Sequence, residues 1–304
     1  MRNYQFAMLA CSMIAAASCS DNNGENAVVE SPRPIEVFGS IGSANTRVSG
    51  TSWSANDAIG ISVKANSGIR NSNVQYVTVL GDGTFVPSVQ SEAISLSASD
   101  GDVTMSAYYP YSASAGTTYD VSSWSEQSSP AIDLLYASRV CNSGTSAIML
   151  QFYHKFTKMI LNIDVVSAAV NPSNTLTQDS LVGMTITADG LNYPASVDLT
   201  TGTVSLGSAD SQSLMVPINS AGTEASMIMA PGIRGTRRLT FNLANDRKLY
   251  WTLDDSFVME SGNAYRWNLN LSSTALEVEA SIEGQIVDWN YVDMENLYIT
   301  PETN

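Results

Sequence analysis

A single histidine, His154, and three cysteines are all that this 304-residue chain offers of the side chains most used for metal binding and covalent chemistry. One imidazole excludes a site built from several histidines and leaves a Ser-His-Asp triad one available base. Cys11 and Cys19 fall in the first nineteen residues, so Cys141 stands alone in the body, with no disulfide partner there and no CxxC spacing. GxSxG, HExxH, a P-loop and a GxGxxG following a strand are all missing. Charge is sparse at 14% of residues and unbalanced, with 29 acidic against 14 basic groups and a formal net charge of −15. An anionic surface repels phosphate backbones, which argues against a nucleic-acid partner. Outside the leader no segment carries a capped helical period. No cofactor and no metal site is expected.

What fills the chain instead is Ser, Thr, Ala, Asn and Gly, the composition of an exported β-protein. Residues 1–18 read as a lipoprotein signal peptide: Arg2 precedes an apolar core from Phe6 to Ala17 that is too short for a mature membrane helix. Ala16-Ala17-Ser18-Cys19 resembles a lipobox, although Ala16 stands where leucine is usual. On this reading cleavage before Cys19 leaves that cysteine as the lipidation site; ordinary signal cleavage without lipid is the alternative. Residues 19–34 form a polar tether that Pro32 and Pro34 stiffen at its end.

The central stretch 149–166 organises the rest. Leu150, Phe152, His154 and Phe156 share one face of a strand, whereas from Met159 onward the apolar positions turn odd, with Leu161, Ile163 and Val165 following. A period of two that changes phase needs a bend. Two strands meeting at Thr157-Lys158 therefore fit better than one strand of that length. Strand-like runs recur around it at 34–42, 59–63, 74–80, 84–86, 103–109, 132–138, 183–188, 195–200, 204–206, 213–218, 225–229, 238–244, 248–253 and 264–271. Gly, Pro and Asn-Asp turn signals separate them, and Asn245-Asp246 predicts a tight hairpin. This spacing predicts an all-β protein of two β-sandwiches, one over 35–145 and one over 146–273, meeting near the Asn-Ser-Gly-Thr-Ser stretch around 143–147. Residues 274–304 read as C-terminal extended strands. In them Leu276, Val278, Ala280 and Ile282 alternate with outward Glu277, Glu279 and Ser281, and Trp289 is a candidate anchor.

The residues that could carry chemistry all have plainer readings. His154 between two phenylalanines predicts a hydrogen-bonded core or interface histidine. Asp100-Gly101-Asp102 and Asp254-Asp255 are adjacent carboxylates of the kind glycoside hydrolysis needs, but each reads as a solvated turn. Tyr108, Tyr109, Tyr111 and Trp124 could stack on sugars or fill a core. Cys141 predicts a small semi-buried side chain.

Several short motifs, in this order, resemble the Mfa-like fimbrillin family. They are the lipobox leader, Thr46-Arg47-Val48 before Trp53, Asp57-Ala58-Ile59-Gly60-Ile61, Ala107-Tyr108-Tyr109-Pro110-Tyr111 and Phe152-Tyr153-His154-Lys155-Phe156. Met229-Ala230-Pro231-Gly232 and Ile286-Val287-Asp288-Trp289 complete the series. The resemblance covers nearly the whole chain after the leader. It implies two transthyretin-like β-sandwich domains in tandem and a non-enzymatic, surface-exposed lipoprotein or fimbrium at the outer membrane. It also implies a type V pilin or pilus accessory subunit, as stalk, tip or anchor, mediating adhesion. In such proteins a protease cuts after an arginine ahead of the first domain, and an incoming strand fills the groove left by the released one. The resemblance thereby marks Arg47 as the cleavage candidate, with Arg33 as a competing site. It marks Ile35, Val37, Phe38 and Ile41 as the removed strand, and Tyr291, Leu297 and Ile299 as a donor strand. Expected partners are other pilus subunits or a second copy, a host glycan or protein, and the lipid anchor. Two further readings stand beside it: an uncleaved surface lipoprotein that binds a glycan or host protein, and a carbohydrate-active enzyme.

Overall fold

Alternation of apolar and polar residues decides which segments pair, and the central stretch decides where one core ends and the next begins. The structure, a computed structural model, describes residues 33–42, 53–166, 176–272, 289–293 and 297–299. Leu150, Phe152, His154 and Phe156 are buried, while Met149 and Tyr153 are exposed. Beyond the bend Met159, Leu161 and Ile163 are buried in their turn. The strands break at Lys155-Phe156, between β8 (Ala147–His154) and β9 (Thr157–Val166), just ahead of the predicted join at Thr157-Lys158. The chain changes core at this bend, so the inward face changes sides with it.

The first core lies inside a closed barrel. Its strands are β1 (Glu36–Ile41), β2 (Asp57–Ala65), β3 (Gly68–Thr78), β4 (Thr84–Pro87), β5 (Val103–Tyr109), β7 (Leu135–Cys141) and β8. They run in the order β1-β4-β3-β2-β5-β7-β8, and β1 also pairs with β8. A two-sheet sandwich is the sequence expectation for these strands; they close on themselves instead, because β1 bridges the two strands that would otherwise be edges. Ile59, Ile61, Val63, Tyr76, Met105, Leu150 and Phe152 fill the interior.

The second core is enclosed by sheets. One has the order β13 (Leu214–Val216), β10 (Thr185–Asp189), β15 (Arg237–Asn242), β16 (Lys248–Leu253). Another has β14 (Glu224–Met229), β9, β17 (Asn263–Ser272) and then β18 (Asn290–Asp293), with β19 (Leu297–Ile299) also on β17. Ile186, Phe241 and Trp251 from the first meet Leu161, Met227 and Trp267 from the second in one apolar cluster. The β15–β16 hairpin turns at Asn245-Asp246 as predicted, with Asp246 in the left-handed region at φ 64°.

Two features lie outside what alternation predicts. A short strand, β6 (Thr118–Val121), interrupts the barrel strands and pairs with β11 (Ala195–Asp198), which in turn pairs with β12 (Val204–Leu206). Tyr119, Val121, Trp124 and Leu134 accordingly belong to the second core although they precede residue 145. The stretch around 143–147, a domain junction by sequence, is the turn from β7 to β8 inside the barrel, where the Thr145 N–H donates to the Asn142 carbonyl at 2.9 Å. The passage between cores occurs at Lys155-Phe156 instead.

Candidate functional site

β1 is held on both sides by backbone. It lies parallel to β8, with residues 36–41 in register with 147–152, and antiparallel to β4 through Val37–Phe85 and Phe38–Thr84. The flanking loops extend this ladder. The Ile35 N–H donates to the Ile94 carbonyl at 2.8 Å, the Glu36 N–H to the Ser146 carbonyl at 2.9 Å, and the Gly39 N–H to the Gly83 carbonyl at 2.8 Å. The Gly42 N–H donates to the Phe152 carbonyl at 3.0 Å, and the Gln151 side-chain amide donates to the Gly42 carbonyl at 2.7 Å. The odd residues face the core: Ile35 and Val37 are buried, Val37 to 1% exposure, whereas Phe38 and Ile41 are half-buried and Ser40 is exposed. Burying one such aliphatic side chain contributes about 1.5–3 kcal/mol. The strand is therefore held by a few strong apolar contacts and an ordinary ladder.

Gly39 is the tightest point. A Cβ placed there would lie 2.8 Å from Cε2 of Phe85 and 3.2 Å from Cε2 of Phe152. Trp53 closes the same site: its indole N–H donates to the Gly39 carbonyl at 2.8 Å, and its ring meets Phe85, Tyr109 and Phe152 edge-on at 5.0, 5.3 and 5.3 Å. Gly83 completes the approach, since at φ 82° its missing Cβ leaves room for the Gly39 carbonyl, which a methyl would meet at 2.5 Å. The Tyr109 hydroxyl donates to Asp57 at 3.1 Å. Burial, with the Asp57 carboxylate beside it, pushes that phenol up to about 12. At the Ile35 end the Tyr76 hydroxyl accepts from the Ile94 N–H at 2.8 Å, and burial raises its pKa too.

The other residues named from sequence land as follows. Cys19 and Arg47 lie outside the described residues, as do the alternating 276–282 segment and the leader. Tyr291 falls on β18, and Leu297 and Ile299 on β19, both paired in parallel with β17 of their own chain. His154 is buried, with Nδ1 2.5 Å from Asp133 and its ring stacked on Trp289 at 3.7 Å. It thus joins the end of β8 to the residue that precedes β18. Tyr108 and Trp124 are core residues, and the Trp124 indole donates to the Tyr193 carbonyl at 2.7 Å. Asp100 pairs with Arg70 at 3.0 Å and caps Ser97, while Asp254 caps Ser256. Cys141 is buried, which raises its thiol pKa. Among the described residues no cluster of three or more His, Cys, Asp or Glu is arranged to hold a metal ion, and no helix is long and apolar enough to cross a membrane. Gly39, Gly83 and Phe85 are what sequence reading missed. An isolated glycine inside a strand pattern is the signal that marks a close backbone approach.

A fimbrillin-like family profile matches residues 46–289. The chain belongs to the fimbrillin-like family. This fimbrillin-like chain is 25% identical over 300 residues to a candidate fimbrium subunit, Fim1C, of Bacteroides uniformis, spanning 92% of the chain and 94% of that relative. Solved structures share its fold. A candidate cell adhesion protein of Bacteroides uniformis superposes with a TM-score of 0.63 at 21% identity, over 79% of this chain and 93% of that one. One of Bacteroides ovatus superposes with a TM-score of 0.63 at 24% identity, over 84% and 99%.

Proposed function

We propose that this chain is a surface-exposed fimbrial subunit that assembles by strand donation: β1 is released after a cut at Arg47, and a strand from another subunit takes its place. The observation that carries this is the position of β1. It is the first strand described, it closes the barrel between β4 and β8, and the stretch containing Arg47 links it to Trp53 and the remaining strands. Losing β1 would uncover the Phe85 and Phe152 rings and two rows of backbone donors and acceptors, and a strand added there satisfies both needs. The fimbrium relative and the adhesion-protein neighbours support a role at the cell surface in building or ending an adhesive fibre. On this reading Cys19 carries the lipid that holds the uncleaved chain at the outer membrane, and other subunits are its partners. The donated strand comes from the C-terminal region that contains β18 and β19.

Limited trypsin digestion of residues 20–304, followed by mass spectrometry and size-exclusion chromatography, tests this. An early cut after Arg47 followed by a ladder of oligomers is the expected result. A cut at Arg47 that leaves a lasting monomer, or early cuts elsewhere only, would overturn assembly by strand donation.

A further inference from the structure

The groove that β1 fills reads a sequence, and a variant of that sequence, identical at four of seven positions, recurs in this chain. From Ile35 the strand runs Ile-Glu-Val-Phe-Gly-Ser-Ile; from Leu276 the chain runs Leu-Glu-Val-Glu-Ala-Ser-Ile. Glu, Val, Ser and the final Ile recur in place, Leu replaces Ile, and Ala replaces Gly. The one unlike pair, Phe38 against Glu279, falls on the outer face, next to exposed Met149 and paired with exposed Thr84, where a charge remains in water. Resting on the strand-donation reading above, we propose that segment 276–282 of a second copy occupies the place of β1, and that Phe85 and Phe152 fix its register by admitting nothing larger than alanine opposite them.

Steric fit selects this register. Seating Ala280 at Gly39's position places a methyl 2.8 Å from the Phe85 ring edge, so that ring has to shift aside to admit it. A slip of two residues puts Val278 or Ile282 between the two rings instead, and a slip of one turns glutamates into the core. A slip of four seats Gly284 there but puts Ala280 in the buried place of Ile35, leaving a void. Only the 276–282 register fills the Ile35, Val37 and Ile41 positions with aliphatic side chains of matching size.

Chain geometry favours a second copy over a return within the same chain. β17 ends at Ser272, which is in register with Val166 at the far end of β9. Ten residues of strand put that end roughly 30 Å from the crossover to the barrel. The four residue steps from Ser272 to Leu276 span at most about 14 Å.

The test places a site-specific protease sequence between Gly42 and Trp53, so that opening the groove does not depend on Arg47. A fluorescein-labelled peptide of residues 274–285 is then added to cut and uncut protein, and a cooperative thermal melt of the cut protein, at a lower midpoint once β1 has left, verifies folding. The peptide is expected to bind cut protein and not uncut protein. Its Ala280→Leu form should bind roughly tenfold more weakly or worse, and its Ala280→Gly form at least as well. In the full chain, Ala280→Leu should abolish the oligomers that the cut wild type forms. Equal binding of the Ala and Leu peptides, no binding, or sensitivity to Gly284→Leu alone would overturn the proposal. Size-selective binding by cut protein that stays monomeric would uphold the groove's selectivity and sink subunit assembly. Oligomers that survive Ala280→Leu would do the reverse.

Discussion

Gly39 and Gly83 show how a single missing methyl sets a strand's position. Gly39→Val drives side-chain atoms into Phe85 and Phe152, and overpacking of this kind costs about 1–3 kcal/mol. Gly83→Ala adds a strained φ to a backbone clash and should cost at least as much. Gly116→Ala, with open space and no such φ, is the control and should change stability by no more than about 0.5 kcal/mol in urea titrations. The buried phenols give a second prediction at this scale. Burial pushes both Tyr108 and Tyr109 up to about 12 from 10.0. Because folding raises these values, the folded state favours the neutral phenol. The stabilisation is complete below about pH 10 and is lost as pH rises toward about 12. Denaturation midpoints followed through that window should fall for the wild type and fall less for Tyr109→Phe; equal slopes would refute the assignment.

At the scale of elements, one amide fastens the segment between β5 and β7 to β14 of the second core. The Gln127 side chain donates to the carbonyls of Trp124 at 2.7 Å and Ile228 at 2.9 Å, and accepts from the Ile228 N–H at 2.8 Å. It acts as a one-residue strand against β14, at the edge of that sheet. Gln127→Ala leaves two half-buried backbone groups of Ile228 without this partner, at a cost of about 1–3 kcal/mol. Its neighbour Glu126, with an exposed side chain, should tolerate alanine to within about 0.5 kcal/mol. Chemical denaturation of the two variants side by side checks the contrast. β6 was missed by sequence for a related reason. Four residues, Thr-Tyr-Asp-Val, are too short a sample of alternation to stand out, and their partner β11 is far away in sequence.

For the whole molecule, the chain passes between the cores more than once. β5 lies in the barrel, β6 on the second core, β7 and β8 in the barrel again, and β9 back in the second core. Neither core can then unfold without pulling strands or anchors such as Trp124 out of the other, so calorimetry should record one cooperative transition. Two resolved transitions would mean that the cores are energetically independent. His154 contributes to the same coupling, since its ring links β8 through Asp133 and Trp289 to the start of β18. Trp289→Ala should therefore raise hydrogen exchange in β18, measured by mass spectrometry, with little change in β2 or β5.

By itself the sequence determined the all-β class, most strand positions, the phase change between Phe156 and Met159 and the hairpin at Asn245-Asp246. These follow from local rules: alternation, turn chemistry and the missing helical period. The resemblance in its motifs was enough to point to the fimbrillin-like family. Tertiary structure alone decided that β1 closes a barrel, that β6 crosses to the other core and that the chain changes core at Lys155-Phe156 rather than near residue 145. Those are matters of which distant strand supplies the missing hydrogen bonds, and local pattern carries no record of that. The repeat of Ile35's strand at Leu276 was in the sequence throughout. It acquired meaning only when Phe85, Phe152 and Trp53 were seen to surround Gly39, because a close approach is a relation between residues 14 to 113 positions apart.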